Sequence, residues 1–494
     1  MTAPDSVATA FPRGRPSGNE GESEPRTPRL SPQERASRGL AARALLPPEE
    51  QGEVVLSPGR PDTVAVLEEQ AVTRVPELVP VRHGRMMVSP FTFFRGHAKG
   101  MAIDLGAAPV SGLAVRLCGD AHLSNFGLFA SPERRLLFDI NDFDESLPGP
   151  WEWDVKRLAA SLDVAGRENG FTDKERRKCV VKTVRRYRDA MADFAAMPAL
   201  DVWYARADVE EVVELLRTKI GRSRRKSLDK AVAKARSSDR LKAFAKLTEI
   251  VDGQVRIKSD PPLLVPMGDL LPDADREELA DQIIELLSHY RRTLASDRRV
   301  LFDQFEFIDL ARKVVGVGSV GTRCWIVLLR GRDDGDPLFL QVKEAEASVL
   351  KSTVPSTMRH RNAPRNEGAR VVAGQRLMQA ASDIFLGWQR VEGIDGRERD
   401  FFVRQLRDMK GSAVVEQMDP KSMTIYGQLC GWTLARAHAR SGDPIAISAY
   451  LGDDDGFATA AAAFADGYAD QTERDHSVFL DAIRSGRLEA VTGL

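Results

Sequence analysis

Between Cys118 and Glu145 the chain reads Cys118-Gly-Asp-Ala-His-Leu-Ser-Asn-Phe-Gly127, a short apolar run, then Asn141-Asp-Phe-Asp-Glu145. Asp120 and Asn125 stand five residues apart, and Asp139, Asp142 and Asp144 follow within about twenty residues. Phosphoryl transfer to a hydroxyl needs these groups. One carboxylate accepts the hydroxyl proton, while an amide oxygen and a second carboxylate hold Mg2+ against the phosphates. Clustered carboxylates repel one another unless a cation sits among them, which favours a metal site over a plain acidic loop. Asp120 is therefore read as the catalytic base or a substrate-orienting carboxylate. His122 joins it in the catalytic loop, orienting that loop through hydrogen bonds; as a metal ligand it would lack nearby His or Cys partners. Asn125 and Asp142 are read as Mg2+ ligands, with Asp144 or Asp139 as a supporting or second-metal ligand. Asp139 rivals Asp142 for the primary role because it ends the apolar run directly.

Such a loop must be held between rigid elements. Leu113-Ala-Val-Arg-Leu117 and Arg135-Leu-Leu-Phe-Asp139 are short apolar runs flanked by turn formers, and predict two framing strands. From Trp151 to about Tyr290 the pattern is mainly helical; residues 154–162 space their apolar positions at three and four. The basic run 222–246 within it reads as a solvated helix face rather than a surface for an anionic partner. Asp154 is expected to cap its helix and brace the loop. Arg95 either contacts phosphate or structures the loop, and Phe91, Phe93 and Phe94 are assigned to the core.

Nothing before residue 118 reads as an ATP-binding lobe; one is legible afterwards. Gly316-Val-Gly-Ser-Val-Gly321 lies between two β-rich runs. Glycines let a backbone approach phosphate oxygens and present N–H groups to them. The following run is β-branched and aromatic, which favours a glycine hairpin over phosphates, built from Gly316, Gly318, Ser319 and Gly321, above a strand–glycine–helix turn. Lys343 ends the apolar strand Phe339-Leu-Gln-Val-Lys343, where a lysine is costly unless its ammonium meets an anion. The alternative is an exposed edge-strand lysine. Glu367, at the start of the next helix (about 367–381), is its candidate partner, with Glu344 and Glu346 behind it. Two more strands are expected, at 384–388 and 400–406. Residues 305–406 thus give five strands and one helix in the order of a kinase N-lobe. Helices follow at 423–440 and 456–483, and the first ends in Leu434-Ala-Arg-Ala-His-Ala439. That ending is similar to the helix preceding the catalytic loop in aminoglycoside- and choline-kinase-like enzymes. Reading 305–440 and then 110–300 restores the kinase-like order, as a circular permutation would.

Four segments carry a family resemblance: Ser89-Pro-Phe-Thr-Phe-Phe-Arg-Gly96, residues 118–127, Asn141-Asp-Phe-Asp-Glu-Ser-Leu-Pro-Gly-Pro-Trp-Glu-Trp-Asp154 and Arg404-Gln-Leu-Arg-Asp-Met-Lys-Gly411. Over about residues 60–490 the chain resembles the bacterial family of domain of unknown function 2252, which implies no particular reaction. The loop is also similar to that of the aminoglycoside phosphotransferase superfamily, matching His-Gly-Asp-x-His-x-x-Asn at Gly119, Asp120, His122 and Asn125. Cys118 replaces the usual first His, and Asn141 precedes the metal Asp. The Gly149-Pro150 and Asp154-Val155 positions also match.

Length and composition bound the rest. A chain of 494 residues accommodates two or three domains or one two-lobed enzyme. A net charge of −1 supplies no field for nucleic acid or an anionic membrane, so neither is expected as a partner. The cysteines (118, 179, 324 and 430) lack metal-ligand spacing and fit a reducing cytosol. No apolar run is long enough to span a bilayer, and the first residues show no charged start followed by an apolar segment, so a cytoplasmic location rather than secretion is expected. Residues 1–60 read as a disordered tail. Residues 61–300 are expected to form the catalytic-loop and helical lobe, 305–410 the nucleotide-binding β-rich lobe, and 411–494 helices returning to the first. The expectation is a two-lobed α+β fold, protein-kinase-like and circularly permuted, with a large helical C-lobe. Its activity would be ATP- and Mg2+-dependent transfer of a phosphoryl group to a small-molecule hydroxyl. The alternatives are nucleotidyl transfer, protein modification, or a non-catalytic nucleotide sensor.

Overall fold

The structure is a computed structural model. It describes residues 30–493 apart from 218–220, 239, 272–275, 315, 319, 359–363, 394–395 and 407–408. The strands are, in chain order, β1 (Ala114–Leu117), β2 (Phe126–Ala130), β3 (Leu136–Ile140), β4 (Leu147–Pro150), β5 (Ala207–Asp208), β6 (Thr248–Val251), β7 (Gln254–Ile257), β8 (Leu264–Pro266), β9 (Glu306–Lys313), β10 (Cys324–Arg330), β11 (Pro337–Ala345), β12 (Gly387–Glu392), β13 (Glu398–Gln405) and β14 (Gly411–Ser412). A six-stranded antiparallel sheet runs β12-β13-β11-β10-β9-β8, and a smaller sheet runs β14-β2-β3-β5. β1 pairs with β4, β6 with β7.

Alternation along the strands sorts the large sheet into two faces. Leu310, Val327, Leu329, Leu338, Leu340 and Val342 join Tyr290, Leu294 and Phe302 in one core. Ala311, Ile326, Leu328 and Phe339 join Ala243, Leu247 and Ile257 in another. Gln341 and Lys343 share the side of β11 that carries Phe339, an arrangement that follows from the two-residue period.

A third and larger core centres on Trp151, the helices Trp151–Glu168, Asp173–Ala196, Pro420–Ser441 and Gly456–Arg484, and the strands β1 to β4. Helix Asp173–Ala196 starts at a Thr172/Glu175 capping box, which satisfies two of its orphan N–H groups. Helix Glu367–Met378 and Phe402 also pack on this core, tying the large sheet to the helices.

Three expectations change. Residues 32–60 are not a disordered tail: Pro32–Leu45 is a helix opened by a Ser31/Glu34 capping box, whereas residues 1–29 lie outside the described residues. The segment lacks a large apolar stripe, and close approach replaces it. A Cβ on Gly39 would sit 2.1 Å from the Ala446 carbonyl oxygen, and Arg35 and Arg43 reach Asp443 and Asp454. Next, the mainly helical stretch is interrupted by β5, β6, β7 and β8, and β8 adds a sixth strand to the large sheet. Residues 243–302 also contribute to the cores of that sheet. Finally, the strand expected at 384–388 starts at Gly387, because Phe385 and Leu386 are pulled into two different cores just before it.

Candidate functional site

One face of helix Trp151–Glu168 grips the 118–125 loop. The Asp154 carboxylate accepts from the backbone N–H groups of Cys118 (2.8 Å) and Gly119 (3.0 Å). Arg157 donates through Nε to Asp120 Oδ1 at 2.8 Å, with Nη2 also 2.8 Å from it, and the Ser161 hydroxyl accepts from Leu123 N–H at 3.2 Å. Positions 154, 157 and 161 are spaced i, i+3, i+7, so they lie along one side of the helix. Asp154 therefore braces the loop as expected, but it does not cap the helix, which starts at Trp151 with Pro150 before it. Gly119 has φ +84°, and a Cβ there would lie 2.5 Å from the Glu145 carbonyl oxygen. Only glycine lets the two halves of the loop approach this closely.

Helix Pro420–Ser441 holds the same region from behind. His438 Nε2 lies 3.2 Å from Asp154 Oδ2, and Arg436 donates to both oxygens of Asp139 at 2.7 and 2.8 Å. Asp139 also accepts from Ala380 N–H (2.8 Å), and both members of the Arg436 pair are almost wholly buried. The structure thus corrects the Asp139 assignment: its lone pairs are used in a buried structural ion pair, whereas half-buried Asp142 lines the cleft beside Asp120.

Asn125 Nδ2 donates to the Asp120 carbonyl at 2.9 Å, which leaves its oxygen as an acceptor. The Asp142 carboxylate accepts from Asp144 N–H at 3.3 Å, closing a local turn. Lys343 reaches across from β11 and pairs with Asp144 Oδ2, while Asp144 Oδ1 is buried without a hydrogen-bond partner. Glu367 does not meet Lys343. It pairs with Arg370 on its own helix and with Lys351 at 3.3 Å. A helix-opening Glu sits one turn too early to turn inward; its carboxylate stays near the helix start, where Arg370 meets it three residues on. Glu344 pairs instead with Arg323 and Arg399 at 3.3 and 3.4 Å, and the ion pair of Lys343 is with Asp144, not with Glu344 or Glu346.

Arg404, unassigned from sequence, completes the β-side of the site. It lies opposite Gln341 across the β11–β13 ladder, donates to Gln341 Oε1 at 3.0 Å, and donates to the Asn141 carbonyl at 3.1 Å. The glycine segment joins β9 to β10 as a turn. Gly321 has φ +90° with its backbone against Arg74, Gly318 lies beside the Arg95 carbonyl, and a Cβ on Gly316 would meet nothing within 4 Å. Ser319 lies outside the described residues.

Two carboxylates, one ammonium and one guanidinium therefore share a desolvated corner. Burial pushes both carboxylates up, but Lys343 and Arg404 outweigh it at Asp142 and hold that group below the usual carboxylate range. Asp144 is raised instead, by burial first and by the Asp142 charge second. Burial disfavours the Lys343 ammonium, yet the two aspartates raise its pKa. His122 is buried and its pKa is pushed down to about 4, by desolvation foremost, so it is a neutral imidazole near pH 7. It lies 3.6 Å from Asp120 Oδ2, beyond hydrogen-bond range, so the orienting hydrogen bond expected of it is not made to Asp120; Arg157 orients that carboxylate.

Asp120, Asp142, Asp144, Cys118 and Gly318 line one cleft of about 100 Å3. A larger cavity of about 820 Å3 opens between β7, β9 and helix Met267–Leu270 and contains none of these groups. The donor set of the cleft fits Mg2+, which takes oxygen ligands, commonly one or two carboxylates with substrate phosphates completing the shell. Asp142 supplies such an oxygen, and the unpartnered Asp144 Oδ1 marks unused acceptor capacity beside it; Asn125, whose Oδ1 remains an acceptor, is tied to the cleft through the Asp120 carbonyl rather than lining it. Among the described residues no group of three or more His, Cys, Asp or Glu forms an all-protein cage, so phosphate oxygens would have to share the coordination.

All four cysteines are free and buried. Among the described residues no helix is long and apolar enough to cross a membrane. No curated protein and no solved structure gives a significant match to the chain. A bacterial family described as "Uncharacterized protein conserved in bacteria (DUF2252)" matches residues 74–482, which include the 118–125 loop, the Asp142–Asp144 turn, Lys343, Arg404 and the Asp154–Ser161 brace. The chain belongs to the DUF2252 family of bacterial proteins.

Proposed function

We propose that this protein is an ATP- and Mg2+-dependent phosphotransferase that phosphorylates a hydroxyl of a small molecule. One observation carries the reading. Lys343, buried on the inner side of an antiparallel sheet, meets the Asp142–Asp144 turn from far along the chain, beside a cleft that contains Asp120. The six-stranded sheet with its glycine turn, followed by helix Pro420–Ser441, supports a kinase-like N-lobe leading into the helix that precedes a catalytic loop. The 114–150 loop region then supplies the remainder, as in a circularly permuted kinase-like fold.

Each residue has a task in this scheme. Lys343 and Arg404 position the nucleotide phosphates, and Gly316, Gly318 and Gly321 keep the turn above them free of side chains. Asn125 and Asp142 hold Mg2+, which when bound neutralises charge developing on the phosphoryl oxygens. Asp120, fixed by Arg157 through Oδ1, offers Oδ2 to the acceptor hydroxyl. The hydroxyl oxygen bonds to the γ-phosphorus, the bond from that phosphorus to the β–γ bridging oxygen breaks, the hydroxyl proton passes to Asp120, and ADP leaves. Catalysis is then mostly positioning and preorganised charge.

The test is transfer of labelled γ-phosphate from Mg·ATP to a panel of small hydroxyl compounds, with wild type and Asp120→Ala. Transfer by the wild type, with loss of turnover and retained nucleotide binding in Asp120→Ala, supports the assignment. Nucleotide binding without transfer by the wild type indicates the sensor reading. Release of the label as pyrophosphate, with unlabelled AMP joined to the acceptor, indicates nucleotidyl transfer.

A further inference from the structure

Three arginines on the segment before the catalytic loop converge on the cleft that holds Asp120. Arg74 and Arg82 are buried to 8% and 1% exposure, and Arg95 lies beside them. Arg74 donates through Nη1 to the Val320 carbonyl, and Arg82 donates through Nη2 to the Gly96 carbonyl at 2.7 Å. Arg74 Nε, Arg82 Nε and Nη1, and Arg95 Nε are buried without any partner. Among the described residues none of the three guanidiniums forms an ion pair. By contrast Arg157, the fourth arginine at this loop, is paired with Asp120.

Burying an unpaired charge costs several kcal/mol on the order of magnitude seen for desolvated ions, and here three are gathered. Desolvation accordingly disfavours the charge on each of them. Glu346, Glu145 and Glu344 act on Arg74 through their charge, Glu346 on Arg82 and Asp120 on Arg95, but desolvation outweighs them and none forms an ion pair with the trio: Glu344 is paired with Arg323 and Arg399, and Glu145 accepts from Val349 N–H at 2.7 Å. Guanidinium groups with unused N–H donors in a fixed fork match the geometry of a phosphate oxyanion. The trio shares its cleft with Asp120, Asp142, Asp144 and Gly318, whereas Lys343 and Arg404, assigned to the nucleotide phosphates, are not part of its lining.

We propose that the acceptor of this site is itself an anion, a phosphate monoester whose phosphate is held by Arg74, Arg82 and Arg95 while its hydroxyl faces Asp120. This rests on the phosphotransferase reading above and names the substrate class for it. A neutral polyol would leave the arginines unmatched. The tip of the glycine turn, Val320, is bonded to Arg74, so bound phosphate would be sealed beneath that turn.

The experiment is calorimetric and thermal-shift titration of the full chain at constant ionic strength with inorganic phosphate, glycerol phosphate and glycerol. Each is added with and without saturating Mg2+ and a non-hydrolysable ATP analogue. Expected are saturable binding of phosphate and tighter binding of glycerol phosphate, no response to glycerol, and retention of both signals when the analogue is bound. Arg82→Met and Arg74→Met should weaken glycerol phosphate at least 10-fold while leaving the analogue's shift intact. Arg95→Gln, at a less buried position, gives the same comparison if the first two variants do not fold. Absence of phosphate binding, equal binding by the variants, or exclusion of the ester while free phosphate binds would overturn the proposal. Competition between phosphate and the analogue would also overturn it, by placing the arginines in the nucleotide site. Phosphate binding with no response to the analogue would instead sink the phosphotransferase reading while leaving an anion site.

Discussion

The Lys343 ammonium and the Asp144 carboxylate form an ion pair between residues 199 positions apart, with Lys343 97% removed from solvent and Asp144 carrying a second, unpartnered oxygen. The pair fastens the large sheet to the loop that also holds Asp142. Because both charges are desolvated, they should be thermodynamically coupled. Lys343→Met and Asp144→Asn are each expected to lower the denaturation midpoint, and the double variant to lose less than the sum, with a coupling on the order of 1 kcal/mol. Additive losses would mean that the two side chains do not meet in solution.

Asp139 and Asp142 are three residues apart and have opposite fates. Asp139→Asn leaves Arg436 buried without its counter-charge, which costs about 3–5 kcal/mol in comparable buried pairs. Asp142→Asn should cost little stability and abolish the Mg2+ dependence of nucleotide binding. Chemical denaturation combined with Mg2+ titration of the two variants separates them. A loss of Mg2+ dependence in folded Asp139→Asn would restore that residue as a ligand.

Arg157 fixes one oxygen of Asp120 and acts through it. Arg157→Met should reduce turnover on the order of 10²-fold, the effect of a small misplacement of a reacting group. The KM for ATP should change little, since Arg157 does not face the nucleotide side. Arg157→Lys should recover only part of the rate, because an ammonium cannot reproduce the two-nitrogen contact. An unchanged kcat would contradict the positioning role.

His122 gives a pH signature. Its pKa falls from 6.5 in the unfolded chain to about 4 in the fold, so the unfolded state binds more protons between those values. Its contribution to stability is therefore complete above about pH 6.5 and is lost as pH falls toward 4, amounting to roughly 3 kcal/mol. His122→Gln should flatten the acid side of the stability profile relative to wild type within that window. Buried His97, with a pKa pushed down to about 3, will retain some acid sensitivity in the variant. Parallel profiles for the two proteins would show that His122 is accessible to protons in the fold.

The strand β11 was legible because alternation placed Lys343 inside an apolar run, and the 118–145 loop as a local unit because Gly119, Asp120, Asn125 and Asp142 occur close together in sequence. The partner of Lys343 was not legible. Local order pointed to Glu367, but Arg370 three residues later captures that carboxylate, and Asp144 arrives from a distant part of the chain. Asp139 was misassigned for a similar reason, since its counter-charge, Arg436, is 297 residues away. The arginine framework was missed although Arg157 carried a local signal: with Asp154 and Ser161 it puts polar groups at i, i+3, i+7 on an otherwise buried helix. The fold of residues 32–60 had no such signal, because Gly39 packs by close backbone approach rather than by a hydrophobic stripe.

In the proposed mechanism Lys343 and Asp142 serve a single nucleotide site. Titrating Mg·ATP into the full chain while following its unfolding temperature tests this most directly. A ligand at 100 times its Kd stabilises by about 2.7 kcal/mol, which is readily seen. The expected result is saturable, Mg2+-dependent stabilisation that is lost in both Lys343→Met and Asp142→Asn, each measured against its own unliganded midpoint. No stabilisation of the wild type, or stabilisation that survives in either variant, would contradict it.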